Sequence, residues 1–230
     1  MEAPLRVSVI IPCKVRDQYV QRCEAALNNN SSIYPYEIWV VTDKDCPGFP
    51  AAKRNWAMQR ATGDVFAFID SDAYISKDWL KNALHYLQCF DAVCGPGVLP
   101  PDAPFIEHVA DQVHQWLFCP YRVKAKKAQL VSWFPTFNLI VKREVAPQFD
   151  NYLTGEDDRF GLNIKDGIFY HPSILVYHNR RGIFKPLWTQ FGRWARHKGC
   201  FNALSMLAWV TTLWTYAVNF VIGFLKRRPN

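Results

Sequence analysis

The 230-residue sequence predicts an α/β fold, with a mostly parallel sheet flanked by helices and a membrane-associated helical segment at the C-terminal end. Three observations predict it. Short, β-branched apolar runs alternate with helix-compatible stretches from residue 7 to residue 95, the pattern of a parallel sheet with right-handed crossovers. Hydrophobic residues make up 50% of the chain and aromatics 15%, too rich for a disordered chain and enough for a sizeable core. Residues 199–225 then carry no charged side chain, a run longer than the roughly 20 residues that cross a bilayer.

The elements follow in order. Val7–Pro12 (VSVIIP) reads as a buried parallel strand closed by proline. A polar helix is expected over 18–27, then a second buried strand over 36–42 (YEIWVVT). Asp43-Lys-Asp-Cys-Pro-Gly is a loop, rich in turn formers. A helix over 51–61 sets Ala52, Trp56 and Arg60 along one side, Val65–Ile69 (VFAFI) is a third strand, and 77–88 a third helix. A short strand over 91–95 precedes a Gly/Pro-rich turn. Beyond residue 102 the alternation weakens. An amphipathic helix over 105–118, a basic stretch over 122–127, a strand over 133–141, a helix over 156–165 and a last strand over 168–177 are expected. The domain division is 1–179 for the α/β unit and 180–230 for a basic aromatic helix with its apolar segment.

The net charge of +7 suits nucleic acid, an anionic membrane or a phosphate-bearing ligand without choosing among them. The basic residues crowd beside the apolar tail and not along a groove-binding helix, which favours membrane lipids over nucleic acid. The seven cysteines form no CxxC pair, so a zinc ribbon is not expected. Cys13, Cys89 and Cys94 lie in apolar stretches and read as small core residues. An odd, scattered set fits a reducing cytosol, and 1–6 lack an apolar signal region.

The most informative feature is Asp70-Ser71-Asp72, directly after VFAFI. In open α/β sheets, ligands bind beyond the carboxyl ends of the strands. Two carboxylates one residue apart at such an end can both reach a divalent ion. Their hard oxygens suit Mg²⁺ or Mn²⁺, which would in turn hold a diphosphate. The competing reading is a solvated acidic turn or a helix cap.

Several segments bear on that choice: VSVIIPCKVRD, YEIWVVTDKD, GFPAAKRNWAMQRATGDVFAFIDSDAYISKDWL, FPTFNLIVKRE, FDNYLTGEDDRFGLNIKDG and ILVYH. In order and spacing the chain resembles the family 2 glycosyltransferases to about residue 198. The resemblance implies the Rossmann-like GT-A fold. It also implies an inverting, metal-dependent transfer of a sugar from a UDP- or GDP-linked donor to a hydroxyl or lipid-linked acceptor. The work would be done at the cytosolic membrane face, in glycan or polysaccharide assembly.

Carried over residue by residue, Pro12 and Asp17 would lie beside the nucleotide, although Cys13-Lys14 departs from the family's usual pair there. Asp43 would contact the nucleoside, and Arg54 and Asn55 would lie near the nucleotide-sugar. Asp70 would orient sugar or ribose and share the metal. Asp72 would be the stronger metal ligand, with His178 as a third. Asn138 would sit under the acceptor site. Glu156-Asp157 matches the acceptor-side acid pair, with Asp157 as general base. An inverting displacement needs a carboxylate to take the acceptor's proton, and the adjacent Asp158 leaves a one-residue ambiguity.

Two further questions stay open at this level. Gln190-Phe-Gly-Arg193-Trp194 fits either a processive acceptor-channel signature or a basic aromatic helix. The uncharged run fits either a spanning or an interfacial helix. The rival to an enzyme is a membrane-anchored nucleotide-binding scaffold with a degenerate transferase fold, which would be expected to lack Asp72 or Asp157.

Overall fold

A computed structural model describes residues 5–29, 36–105, 107–108, 127–150 and 156–179. Strands β1 (Val7–Pro12), β2 (Tyr36–Val41) and β3 (Val65–Ile69) are parallel, with β1 in the middle. β1 and β3 are buried along their whole length, as their predominantly apolar sequences require. β2 is the edge. Only Val41 of it is fully buried, which corrects the expectation of a second wholly buried strand.

Helix α1 (Gln18–Asn28) follows β1 and α2 (Pro50–Met58) follows β2. The Asp17 carboxylate caps α1 by accepting from the Tyr19 and Val20 amides, satisfying two of its orphan N–H groups. Proline opens α2, at the position where a missing N–H costs nothing. The buried side of α2 is Ala51, Lys53, Arg54, Ala57 and Met58, so two cations point inward.

The strand β4 (Ala73–Ile75) comes straight after the Asp70–Asp72 turn, and helix α3 is Trp79–Tyr86. β5 (Ala92–Cys94) and β6 (Gly97–Val98) are two short strands split by a two-residue break. The remaining elements are β7 (Gln129–Val131), β8 (Asn138–Lys142), α4 (Glu156–Leu162), β9 (Ile168–Tyr170) and β10 (Val176–His178).

The main sheet has seven strands in the order β2-β1-β3-β8-β5-β9-β7. β8 runs antiparallel to both β3 and β5, and β7 runs antiparallel to β9. The sheet is therefore mixed, not mostly parallel. The strand expected over 133–141 begins only at Asn138. The single strand expected over 168–177 is two strands in different sheets. β10 pairs with β4 and β6 in a separate three-stranded sheet.

That second sheet is made possible by close backbone approaches. A Cβ on Gly95 would lie 2.0 Å from the Ile174 carbonyl oxygen, and one on Gly97 would meet the Phe137 ring at 2.6 Å. Asn138 binds the same region together from a wholly buried position. Its Oδ1 accepts from Trp79 Nε1 at 2.8 Å, and its Nδ2 donates to the Gly95 and Ile174 carbonyls at 2.8 and 2.7 Å.

Cys13 and Cys94 are buried as expected, but Cys89 is exposed on the turn after α3. The expected helix over 105–118 falls almost entirely outside the described residues, as do the basic stretch over 122–126 and everything from 180 onward. Among the described residues, no helix is long and apolar enough to cross a membrane.

Candidate active site

The site lies beyond the carboxyl end of β3. The turn out of β3 is tight, with the Ala73 amide donating to the Asp70 carbonyl at 3.0 Å. β10 pairs antiparallel with β4, setting His178 opposite Ala73. That register brings His178 Nε2 to 3.2 Å from Asp72 Oδ1. The imidazole is stacked on Phe137, centroids 5.0 Å apart, and Phe137 in turn occupies the space left by Gly97. Asn179 closes the corner, donating from its amide and side chain to the Asp72 carbonyl at 2.8 and 3.0 Å.

Asp70, Asp72 and His178 can each turn a ligand atom into a cluster no wider than 4.8 Å. Two carboxylates and an imidazole suit a divalent cation. The electrostatics also suit one. Burial pushes the Asp70 carboxyl up from its usual range; the Arg54 guanidinium partly offsets this, and Asp72 adds to it. An added positive charge would relieve that strain.

Arg54 is the hub of the site. Its side chain is 4% exposed. Nη2 lies 3.1 Å from Asp70 Oδ1, and Nη1 lies 3.5 Å from Asp157 Oδ1 and 3.6 Å from Glu156 Oε1. The guanidinium also sits over the Phe149 ring, 5.3 Å from its centroid. One cation thus faces three carboxylates, leaving the site acidic in a chain that is basic overall.

Helix α4 delivers Glu156 and Asp157. Its anchor is Phe160, which stacks on Phe149 at 4.0 Å and meets Phe68 of β3 edge-on at 5.5 Å. Residues three and four before an anchored position share its helix face, so both acids turn toward Arg54. Asp157 is held further by Thr136, whose hydroxyl donates to Oδ1 at 2.6 Å and whose amide donates to Oδ2 at 3.3 Å. Thr136 and Arg54 converge on Asp157, the acid pointed at by the spacing of the pair.

Burial, then the adjacent Asp157 charge, pushes the Glu156 carboxyl up to about 7, because Arg54 is shared among three acids and offsets little of it. The folded state then holds a proton that the unfolded chain gives up near 4.5. Rising pH therefore destabilises the fold between those values. Glu156→Gln should flatten the dependence of Tm on pH between about pH 5 and pH 8. A variant curve as steep as the wild type's would mean that Glu156 is ionised in the folded protein.

The other expected residues are placed less uniformly. Pro12 ends β1, buried and paired in register with Val41. Asp17 is spent at least in part on capping α1. Asp43 is exposed at the end of β2, ion-paired to Lys53 at 2.6 Å. Asn55 is committed to backbone: its Nδ2 donates to the Phe149 carbonyl at 2.7 Å and its Oδ1 accepts the Phe149 amide at 2.9 Å. Asn138 pairs in register with Ile69 at the end of β3, and its side chain is committed to the buried bonds described above. Three side chains that carry the arrangement were not singled out from sequence: Lys53, Thr136 and Phe149. Lys53 adjoins the Arg54-Asn55 pair, and its place beside Arg54 on a face that also carries Ala51, Ala57 and Met58 was the available signal. Nothing near Thr136 in sequence points to an acid 21 residues away.

The site is thus a carboxylate turn at the end of β3 of a mixed sheet, faced by an acid-bearing helix. Residues 46–148 match the family described as Glycosyl transferase family 2. The match takes in α2, the Asp70–Asp72 turn and β8; Glu156, Asp157 and His178 lie beyond it. The crystal structure of S. aureus TarS residues 1–349 has a similar fold, with a TM-score of 0.54 at 18% identity over 76% of this chain and 60% of that one. Its complex with UDP-GlcNAc gives 0.57 at 18% identity over 77% and 59%, and its complex with UDP gives 0.56 at 18% over 76% and 60%. The chain spans less than two thirds of the length of these structures. No curated protein sequence matches the chain. The family match covers just under half of the chain, and the similarity to the TarS structures is one of fold.

Proposed function

We propose that this protein transfers a sugar from a UDP-linked donor to an acceptor hydroxyl with inversion at the anomeric carbon, and that it does so beside a membrane. The observation that carries the reading is the convergence on Arg54. The guanidinium joins Asp70, at the cation cluster, to Asp157, on the acid-bearing helix. A donor-side charge site and a base-side carboxylate thus share one rigid tie. The complexes of TarS with UDP-GlcNAc and UDP support a uridine donor over a guanosine one.

Asp70, Asp72 and His178 fit a Mg²⁺ or Mn²⁺ ion. When bound, the ion would neutralise the charge that builds up on the departing diphosphate. Asp157 takes the acceptor's proton, oriented by Thr136 and Arg54 so that one carboxylate lone pair stays available. Asp43 contacts the nucleoside at the end of β2. The scaffold alternative finds no support among the described residues, because Asp72 and Asp157 are present and each is held by named partners.

The membrane half of the reading rests on sequence. Arg180, Arg181, Lys185, Arg193, Arg196 and Lys198 precede the uncharged run, and each basic residue near an anionic leaflet adds about 1 kcal/mol of attraction. A cytosolic donor and a lipid-borne acceptor meet only at that surface. These residues lie outside the described set.

The direct test is a panel of nucleotide-sugars scored for nucleoside diphosphate release, with and without Mn²⁺ and with and without anionic liposomes. The expected result is release from a UDP-sugar, dependent on the cation and raised by liposomes carrying acceptor lipid. Release from GDP-sugars alone would overturn the uridine reading. Equal rates without membranes, and no binding to liposomes, would overturn the membrane one.

A further inference from the structure

We infer that Lys53 is a positioning residue for donor binding: it fixes Asp43 and the 43–48 loop before the nucleoside arrives. The inference rests on the reading of Asp43 as a nucleoside contact.

Lys53 is 2% exposed, on a chain whose other described lysines are more open. Its ammonium sits 2.6 Å from Asp43 Oδ1 and donates to the Gly48 carbonyl at 2.5 Å. The lysine thus grips the loop at both ends. Asp43 lies at the start, just beyond β2. Gly48 lies at the finish, with φ at +122°, a backbone conformation that L side chains rarely adopt. Between them the loop is braced from within. Asp45 Oδ2 accepts the Thr42 amide and hydroxyl at 2.9 and 2.7 Å, and the Cys46 amide returns to the Thr42 carbonyl at 3.0 Å. The Asp43 amide donates to the Lys14 carbonyl at 3.1 Å, tying this loop to the one after β1.

A lysine is costly to bury, and a buried ion pair is often matched in stability by an apolar side chain of similar size. Asp43, by contrast, keeps 47% of its side chain exposed. Stability therefore gives little reason to spend a buried cation on an exposed carboxylate. Holding that carboxylate in one orientation does give a reason, since a preordered group spares the binding step the cost of ordering it.

The residue is silent in turnover if this is its role, because it touches neither the cation cluster nor Asp157. Lys53→Met should weaken UDP binding by roughly three- to tenfold, the cost of ordering one side chain. The donor KM should rise in step, while kcat at saturating donor and Tm stay close to wild type. In a double-mutant cycle with Asp43→Asn, the two losses should overlap and not add. Binding would be measured by titration calorimetry with UDP and Mn²⁺. Lys53→Met binding UDP as tightly as wild type overturns the inference, and so does a full additive loss in the double variant. If Lys53→Met does not fold, Lys53→Gln is read by the same criteria. Failure of the wild type itself to bind UDP would instead refute the uridine-donor reading, and the same titration with GDP separates the two cases.

Discussion

Asp157→Asn is expected to cut turnover by about 10² to 10⁴, the usual range for a positioned acid or base, with UDP affinity and cation affinity near wild type. The argument is geometric. Asp157 is fixed by the Thr136 hydroxyl and amide and by Arg54, but it is not among the groups that can gather around a cation. Asparagine is nearly isosteric and can keep the Thr136 hydroxyl bond, so the change removes basicity more than shape. Single-turnover rates with saturating UDP-sugar measure the chemical step directly. Should Asp157→Asn turn over normally while Asp158→Asn is dead, the base is one residue further along α4. Lost UDP affinity in Asp157→Asn would place the residue in the donor pocket instead.

Asp72→Ala is expected to abolish cation-dependent UDP binding and to lower activity by about 10² or more, since it would remove a ligand of the cation proposed to offset the charge on the departing diphosphate. The fold should tolerate it. The Asp72 carbonyl accepts both Asn179 bonds, and alanine keeps that carbonyl. The 3.2 Å contact from His178 to the carboxylate is lost, and His178 remains stacked on Phe137. Calorimetry with UDP, run with Mn²⁺ and again in excess EDTA, checks it. Full wild-type activity in EDTA would mean that the cluster holds no cation needed for the reaction.

Much of the amino-terminal half was legible in the sequence, for a clear physical reason. β1 and β3 are buried on both faces, so each reads as a nearly continuous apolar run, and the helices between them satisfy the crossover rule. The carboxyl-terminal half was not. β9 and β10 are three residues each, too short for a period, and only a two-sheet arrangement separates them. β8 is as apolar as a parallel strand, and nothing in Asn-Leu-Ile-Val-Lys says that it runs the other way. Asp70 and Asp72 stood out by their spacing after a strand, and Asp157 and His178 by resemblance, while the contacts around all four were hidden by distance along the chain. Thr136 reaches Asp157 because β8 and α4 both pack on β3, and Lys53 reaches Asp43 because α2 folds back across β2. Asn55 illustrates the opposite case: its place in the pattern suggested substrate, and its amide is taken up by the Phe149 backbone.

The seat of β8 between β3 and β5 has a consequence for how the chain must be made. During synthesis β1, β2 and β3 emerge first and can pair among themselves. β3 then waits for residues 138–142, more than sixty positions later, to cover its other side. Until they arrive, Val65–Ile69 is an open, flat, wholly apolar edge, the kind that recruits strands from other chains. The Asp70–Asp72 turn already hangs from that edge, but Asp157 and His178 have not yet been translated. Chains halted before β8 would therefore be both inactive and prone to aggregate. Completion of the sheet and assembly of the candidate site both wait on residues that come late in the chain.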